Sequence, residues 1–264
     1  MKQPNPNSVI PNPYSLIPKN HMNLDGKTAL VVGGGTGIGY GIAKALANAG
    51  CRVAISGRRE EMLRQAAETA GTKTPLLFQA ADAGDRDSVQ NLTAFATKQL
   101  GRIDILVNSA GINIKTRKMT EMTPDQWDQV MRINATGAYN CMYAVLPQMR
   151  ERRDGLIINV SSIAGLRASA LGGVAYAASK FAMAALSTAV ANELGPEGIR
   201  VTSVYPGEVN TPILLNRPKP VSDEHKAAIL QPEDFGDVIV AIAALPPRAH
   251  VSDIVIKPTH QEFM

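Results

Sequence analysis

Apolar residues along this chain fall into two rhythms. Short, nearly continuous runs occupy residues 29–32, 52–56, 76–78, 103–107, 156–160, 199–204 and 253–256. Runs of this kind predict strands of a parallel sheet buried on both faces. Between them lie longer segments with helical spacing. Ile42, Ala43, Leu46 and Ala47 form one apolar face. Thr123-Pro124-Asp125-Gln126 starts another helix, with Thr123 as N-cap and proline in the first turn. A mostly apolar helix is expected from about residue 135 to 149, and a last one begins at Pro232. The helix after Ala175 is apolar nearly all round (Ala177, Phe181, Met183, Leu186, Val190). Such a helix is covered on both sides, on one by the sheet and on the other, we expect, by a second subunit.

Strand and helix alternate, which predicts an α/β domain. The 264 residues are enough for one such domain, expected over 23–264, and few for two. Residues 1–22 differ in composition, with recurring Pro and Asn. They read as an extended tail, or as an arm reaching a neighbouring subunit through Val9, Ile10, Tyr14, Leu16 and Ile17. They lack the charged start and long apolar stretch of a secretory signal. No apolar run reaches the length of a membrane span.

Composition narrows the function. The net charge of +4 is dispersed and only 5% of residues are aromatic, which argues against a nucleic-acid surface. The densest charge cluster, residues 150–154, holds its own acids and suits a helix C-terminus. Cys51 and Cys141 are far apart in apolar contexts, as in the reducing cytoplasm. The four histidines form no ligand-spaced cluster with cysteine, so no structural metal is expected.

Two stretches carry chemistry. Val32 leads into Gly33-Gly34-Gly35-Thr36-Gly37-Ile38-Gly39, a glycine loop between a buried strand and a helix. Gly33, Gly37 and Gly39 let backbone approach a pyrophosphate, and the helix N-terminus offers it free N–H groups. About 20 residues past such a loop, an NAD-preferring fold places an acid for the ribose 2′-hydroxyl. Here stand Ser56-Gly57-Arg58-Arg59, and arginine can meet a 2′-phosphate instead. NADP(H) is therefore expected over NAD(H), unless these arginines merely open the next helix. The Asp82 carboxylate either binds an adenine amino group or caps the helix that follows Gly84.

The second stretch is Ser161-Ser162 followed by Tyr176-Ala-Ala-Ser-Lys180. Four residues apart on a helix, Tyr176 and Lys180 share a face. The ammonium is expected to lower the phenol pKa toward working pH, where a phenol gives and takes protons. Tyr40 and Lys44 have the same spacing without an upstream serine, and read as helix surface.

Together these motifs resemble the short-chain dehydrogenase/reductase family over about residues 24–257. The matching pieces are Gly33-x-x-x-Gly37-Ile38-Gly39, Asp82, Asn108-x-Ala110-Gly111, Asn134, Ser162, Tyr176-x-x-x-Lys180, and Pro206-Gly207 with Thr211. The resemblance implies a Rossmann-type, doubly wound, seven-stranded parallel sheet in the order 3-2-1-4-5-6-7, with three helices on each face. It implies a homodimer or homotetramer and a small carbonyl or alcohol substrate. Tyr176 would be the general acid or base, and Lys180 would hold the nicotinamide ribose. Ser162, rather than Ser161, would bond the substrate oxygen, because Ile163-Ala164-Gly165 follows it. Asn134, through its local backbone, would hold a water linking Lys180 to solvent. Gly35, Thr36, Ile38, Arg58, Arg59, Ala83, Asn108, Ala110, Gly111, Pro206 and Gly207 would contact the coenzyme, with Val209 and Thr211 at its carboxamide. Val32 and Ser109 stand where relatives often carry Thr and Asn, and the C-terminus lacks their frequent Asp-Gly-Gly.

Substrate choice falls to loops 112–122, 163–174 and 212–230, the last of which looks like a lid. Lys115, Arg117, Lys118, Arg167, Arg217 and Lys219 sit there, either for an anionic substrate or as solvated loop charges. Two other readings are an NAD-linked alcohol dehydrogenase and a dinucleotide-sensing scaffold with little turnover.

Overall fold

The computed structural model describes residues 22–262. The tail expected over 1–22, and its alternative as an inter-subunit arm, falls outside the described residues but for Met22.

The apolar runs form seven parallel strands: β1 (Thr28–Val32), β2 (Arg52–Gly57), β3 (Leu76–Ala80), β4 (Ile105–Asn108), β5 (Gly155–Val160), β6 (Ile199–Pro206) and β7 (Asp253–Ile256). Their order is β3-β2-β1-β4-β5-β6-β7, as expected. β4 starts two residues later than the sequence suggests, and Asp104 explains the delay. Its buried carboxylate accepts from the Thr28 amide at 3.0 Å and pairs with Arg102 at 2.8 Å, tying the edge of β1 instead of extending β4.

Helices cover both faces. On one side α1 (Gly37–Asn48), α2 (Glu60–Thr69) and α8 (Gly236–Ala243) close a core around Ile42, Leu46, Ile55 and Phe235. On the other, α3 (Arg86–Leu100), α5 (Gly137–Arg152) and α6 (Val174–Leu194) close a second core around Leu92, Leu106, Met142 and Val145. The short helices α4 (Pro124–Met131) and α7 (Asp223–Ala228) belong to the C-terminal rim of the sheet. The predicted α4 start holds: Thr123 Oγ1 accepts from the Gln126 amide and Gln126 Oε1 from the Thr123 amide, at 3.3 and 3.1 Å.

Three helical expectations are corrected. The helix predicted to begin near residue 135 is continuous with α4 through a π-helical turn, Arg132–Thr136. Such turns add a residue to the helix and are frequent at functional sites. The segment after Pro232 opens as a 3-10 turn, Pro232–Phe235, before α8. One run also has the dimensions of a membrane span after all. Val174–Glu197 is long and apolar enough by length and composition, with a mean hydropathy of 1.3 in an 18-residue window, a third of which is buried inside the protein. Its inner side, with Ala177, Lys180 and Met183, is buried, whereas Phe181 on the outer side is 43% exposed. The Arg150–Asp154 charge cluster ends α5 as expected, with Arg150 and Arg152 in its last turn.

Tyr40 is more than helix surface. It is half-buried, its hydroxyl donates to the Ala66 carbonyl at 3.2 Å, and the Lys44 ammonium lies 5.3 Å from its ring centroid. It pins α1 to α2.

Candidate active site

A cleft of about 570 Å3 runs along the C-terminal ends of the strands, where ligands bind in open parallel sheets. One end is walled by Gly33, Gly35, Thr36, Gly37 and Ile38, with Arg58 and Arg59 beside them. Asp82 and Ala83, after the edge strand β3, line it beyond the arginines, and Ala110 and Gly111, after β4, line the middle. Ser162, Tyr176 and Lys180 line the far part, facing Pro206, Gly207, Val209 and Thr211. Three predicted site residues do not line it: Gly39, Asn108 and Asn134.

Gly39 is needed for packing. A Cβ there would come within 2.3 Å of the Gly33 carbonyl oxygen. Gly33 itself has φ of +82°, and a Cβ on it would lie 2.5 Å from the Ala110 amide. These two glycines let the loop press against its own helix and the exit of β4, and Gly33 lines the cleft as well. The loop still ends in an open helix terminus. Thr36 is the N-cap of α1, makes no side-chain capping bond, and no acid occupies the first turn. The N–H groups there remain free for an anion.

Asn108 lies behind the cleft. Its Nδ2 donates to Asn159 Oδ1 at 2.8 Å, and Asn159 passes the chain to Ser187 Oγ on α6 at 2.8 Å. Asn134 sits in the π turn and holds Ile112 by both backbone groups. Its Oδ1 accepts from the Ile112 amide at 2.8 Å, and its Nδ2 donates to the Ile112 carbonyl at 2.9 Å. The same Nδ2 reaches Ser179 Oγ at 3.0 Å. Ser179 in turn donates to the Tyr176 carbonyl. The π turn thus fixes both the loop after β4 and the helical turn that carries Tyr176.

Arg58 and Arg59 are exposed at the cleft rim and, among the described residues, neither is in an ion pair. Glu60 and Glu61 in the first turn of α2 pair instead with Arg64, at 2.8 and 3.7 Å. Asp82 lines the cleft and is held by local bonds. It accepts from the Gly84 amide at 2.9 Å and from Arg132 at 3.0 Å, while Asp85, not Asp82, caps α3. Burial pushes its carboxyl up, but the Gly84 amide and the Arg132 and Arg58 charges outweigh that and hold it below the usual range.

The two serines part. Ser161 also lines the cleft, but its Oγ donates to the Lys180 carbonyl at 3.0 Å. Gly165 makes room for that contact, since a Cβ there would lie 2.6 Å from Ser161 Oγ. Ser162 heads the 3-10 turn Ile163–Gly165, accepts from the Ala164 amide at 3.1 Å, and its hydroxyl meets the Tyr176 phenol. Lys180 is 4% exposed and donates to the Val160 carbonyl at 2.9 Å. Burial lowers its pKa to about 8.

Tyr176 departs from expectation. Its phenol pKa is raised, because burial outweighs the Ser162 hydrogen bond and the charge that pulls it down. That charge belongs to Arg117, not to Lys180. Residue spacing placed Lys180 correctly on the Tyr176 face but said nothing of the loop that brings Arg117 alongside.

Of the six loop cations, Arg117 and Arg217 line the cleft. Lys118 turns away to Glu121 at 2.7 Å. Several cleft residues were not anticipated. Gln261 Oε1 accepts from the Glu208 amide at 2.9 Å, closing the C-terminal segment onto the cleft. Glu208 pairs with Arg217 at 3.2 Å and His225 at 2.5 Å, fastening α7 to the end of β6. These partners are 9 to 53 positions apart in sequence, so no local pattern announces them.

A model of the short chain dehydrogenases matches residues 27–221. The chain belongs to this family. Its members are oxidoreductases on a dinucleotide-binding fold, and the seven-stranded sheet described above is that fold. An uncharacterized oxidoreductase of Staphylococcus epidermidis is 31% identical over 232 residues, covering 88% of this chain and 97% of that protein. A metagenomic short-chain oxidoreductase solved in complex with NADP is 31% identical with a TM-score of 0.76, covering 90% of this chain and 99% of that one. The 3-ketoacyl-(acyl-carrier-protein) reductase of Brucella melitensis, solved with NADH, is 28% identical with a TM-score of 0.80, over 90% of this chain and 99% of that one.

Proposed function

We propose that the protein is an NADP(H)-dependent oxidoreductase interconverting a carbonyl compound and a secondary alcohol, with Tyr176 as the proton donor and acceptor. The observation that carries this reading is the sharing of one cleft by two sites. Ser162, Tyr176 and Lys180 stand at one end, and an uncapped helix N-terminus flanked by Arg58 stands at the other.

The residues present fit a phosphorylated dinucleotide. The N-terminus of α1 is free to receive the pyrophosphate. Arg58 and Arg59, unpaired at the end of β2, supply planar donors for a 2′-phosphate. Lys180, Val209 and Thr211 would hold the nicotinamide half, and Asp82 and Ala83 the adenine half. When bound, NADP(H) supplies or accepts the hydride. The Tyr176 phenol, kept protonated by burial, gives its proton to the substrate oxygen in reduction and recovers it in oxidation. Ser162 donates to that oxygen, where negative charge develops. Lys180, largely charged below pH of about 8, adds a fixed positive field. Asn134 positions Tyr176 indirectly, through Ser179.

Exposed aromatic surface supports a homo-oligomer. Tyr139 and Tyr143 on α5 stack at 5.9 Å, and both are exposed, as is Phe181 on α6. The buried free thiols, Cys51 and Cys141, suit a reducing, cytoplasmic setting.

Fluorescence titration with NADPH and then NADH tests the coenzyme half of the proposal. Tight NADPH binding that weakens at least tenfold in Arg58→Ala, with NADH binding unchanged, is the expected result. Equal affinity for both coenzymes in both proteins favours the NAD-linked reading.

A further inference from the structure

Arg117 is a buried cation that, among the described residues, no carboxylate answers. The residue is 9% exposed. Its Nε donates to the Ile114 carbonyl at 3.0 Å, one terminal nitrogen to the Leu171 carbonyl, and the other to the Asn216 carbonyl at 2.9 Å. These acceptors come from all three loops that border the substrate end of the cleft. The bonds use three of the five N–H groups of a guanidinium and none neutralises its charge. The charged groups acting on it are Arg217 and Tyr176.

Its backbone is as firmly placed as its side chain. The Arg117 carbonyl accepts from the Val174 amide at 3.2 Å, at the start of the helix that carries Tyr176. Gly173, with φ of +80°, packs so closely that a Cβ there would lie 2.6 Å from Arg117 Cβ. Arg217 approaches from the opposite loop. Its charge is spoken for by Glu208 at 3.2 Å, and Glu208 is shared with His225. One carboxylate therefore serves Arg217, and among the described residues none compensates Arg117 on the cleft wall.

A staple joining three loops does not require a charge, and burying one without a partner is costly. Like charges held together in a cleft are repaid when a ligand brings the opposite charge. We propose that Arg117, supported by Arg217, forms an anion subsite beside Tyr176, and that the substrate is a keto acid or hydroxy acid whose carboxylate sits on it. The reacting carbonyl then faces Tyr176 and Ser162. That second half rests on the oxidoreductase reading above, whereas the anion subsite stands on the arginines alone. An Arg–carboxylate pair is bidentate where two N–H groups are available, which is the number Arg117 has left.

The test uses two probes. Malonate is titrated calorimetrically into wild type, Arg117→Gln, Arg117→Lys and Arg217→Gln, with and without saturating NADP+. Acetoacetate and methyl acetoacetate, which share the ketone and differ in the charge, are compared as substrates with NADPH and with NADH. Wild type is expected to bind malonate and to favour acetoacetate at least tenfold in kcat/KM. Arg117→Gln is expected to lose malonate binding and bring the acid-to-ester ratio near one, through a higher KM for acetoacetate. Arg117→Lys keeps the charge and recovers part of the preference, as a loop staple alone would not. Should Arg117→Gln fail to fold, Arg217→Gln, which lies outside the staple, is expected to weaken malonate severalfold. Malonate binding that is absent from wild type, or unchanged in both glutamine variants, overturns the subsite. Arginine-dependent malonate binding with neither ketone reduced by either coenzyme keeps the subsite and overturns the assignment of a short keto acid as substrate.

Discussion

The Lys180 ammonium lies over the ring of Tyr176, 5.7 Å from its centroid, and spends its hydrogen bond on the Val160 carbonyl at 2.9 Å. The cation that shares a helical turn with the phenol is thus anchored to the sheet. Its stem and head are buried, and that burial has a cost visible in stability.

Burial holds Lys180 at about 8, down from 10.5. Below about pH 8 folded and unfolded chains both carry the charge, and the folded state bears the whole cost of enclosing it. Between the two values the folded protein releases its proton while the unfolded chain keeps it, so the cost fades as pH rises. Lys180→Met removes a penalty on the order of 3 kcal/mol and loses one hydrogen bond of about 1 kcal/mol. The variant is expected to melt higher than wild type near pH 7, with the gap narrowing toward pH 10 and turnover largely lost. Thermal unfolding at both pH values checks this; a gap that does not change with pH would contradict it.

Ser161 and Ser162 are adjacent yet face different tasks. Ser162→Ala removes the donor that meets the phenol and is expected to cut kcat by about 10²-fold or more with little change in melting temperature. Ser161→Ala removes the bond to the Lys180 carbonyl. It is expected to cost about 1 kcal/mol of stability while turnover stays within a few fold. Steady-state kinetics and chemical denaturation on the pair decide it, and equal kinetic losses would refute the division.

Gly39→Ala should damage the fold rather than the chemistry. Its Cβ would meet a backbone oxygen at 2.3 Å, and backbone cannot turn aside as a side chain can. A loss of about 2 kcal/mol or more is expected in denaturant melts. Gly35→Ala, whose Cβ would meet only the flexible end of Leu63 at 3.0 Å, should melt close to wild type. Equal stability of the two variants would show that the loop relaxes where we expect it to be rigid.

The strand runs were legible because a parallel sheet buried on both faces demands nearly continuous apolarity, which 29–32 has and 156–160 breaks only at Asn159. The glycine loop and the Tyr176–Lys180 pairing followed from local spacing, and the choice of Ser162, which meets the phenol, followed from the family resemblance. What escaped depended on contacts across the fold. Asn108 and Asn134 carry the family pattern, yet neither lines the cleft, and they bond instead to Asn159 and Ser179. Arg117 was visible only as one of six loop cations. Its burial, and its place beside Tyr176, come from three loops meeting. The π turn at Arg132–Thr136 left no mark in the apolar period, because a single inserted residue is absorbed within one turn.

The most direct measurement is the rate of ketone reduction by wild type and Tyr176→Phe, each saturated with NADPH and with coenzyme binding measured alongside. Removing one hydroxyl from the proton donor is expected to lower kcat by about 10²- to 10⁴-fold while NADPH affinity stays within a few fold. A Tyr176→Phe protein that binds NADPH normally and turns over at the wild-type rate would contradict the account.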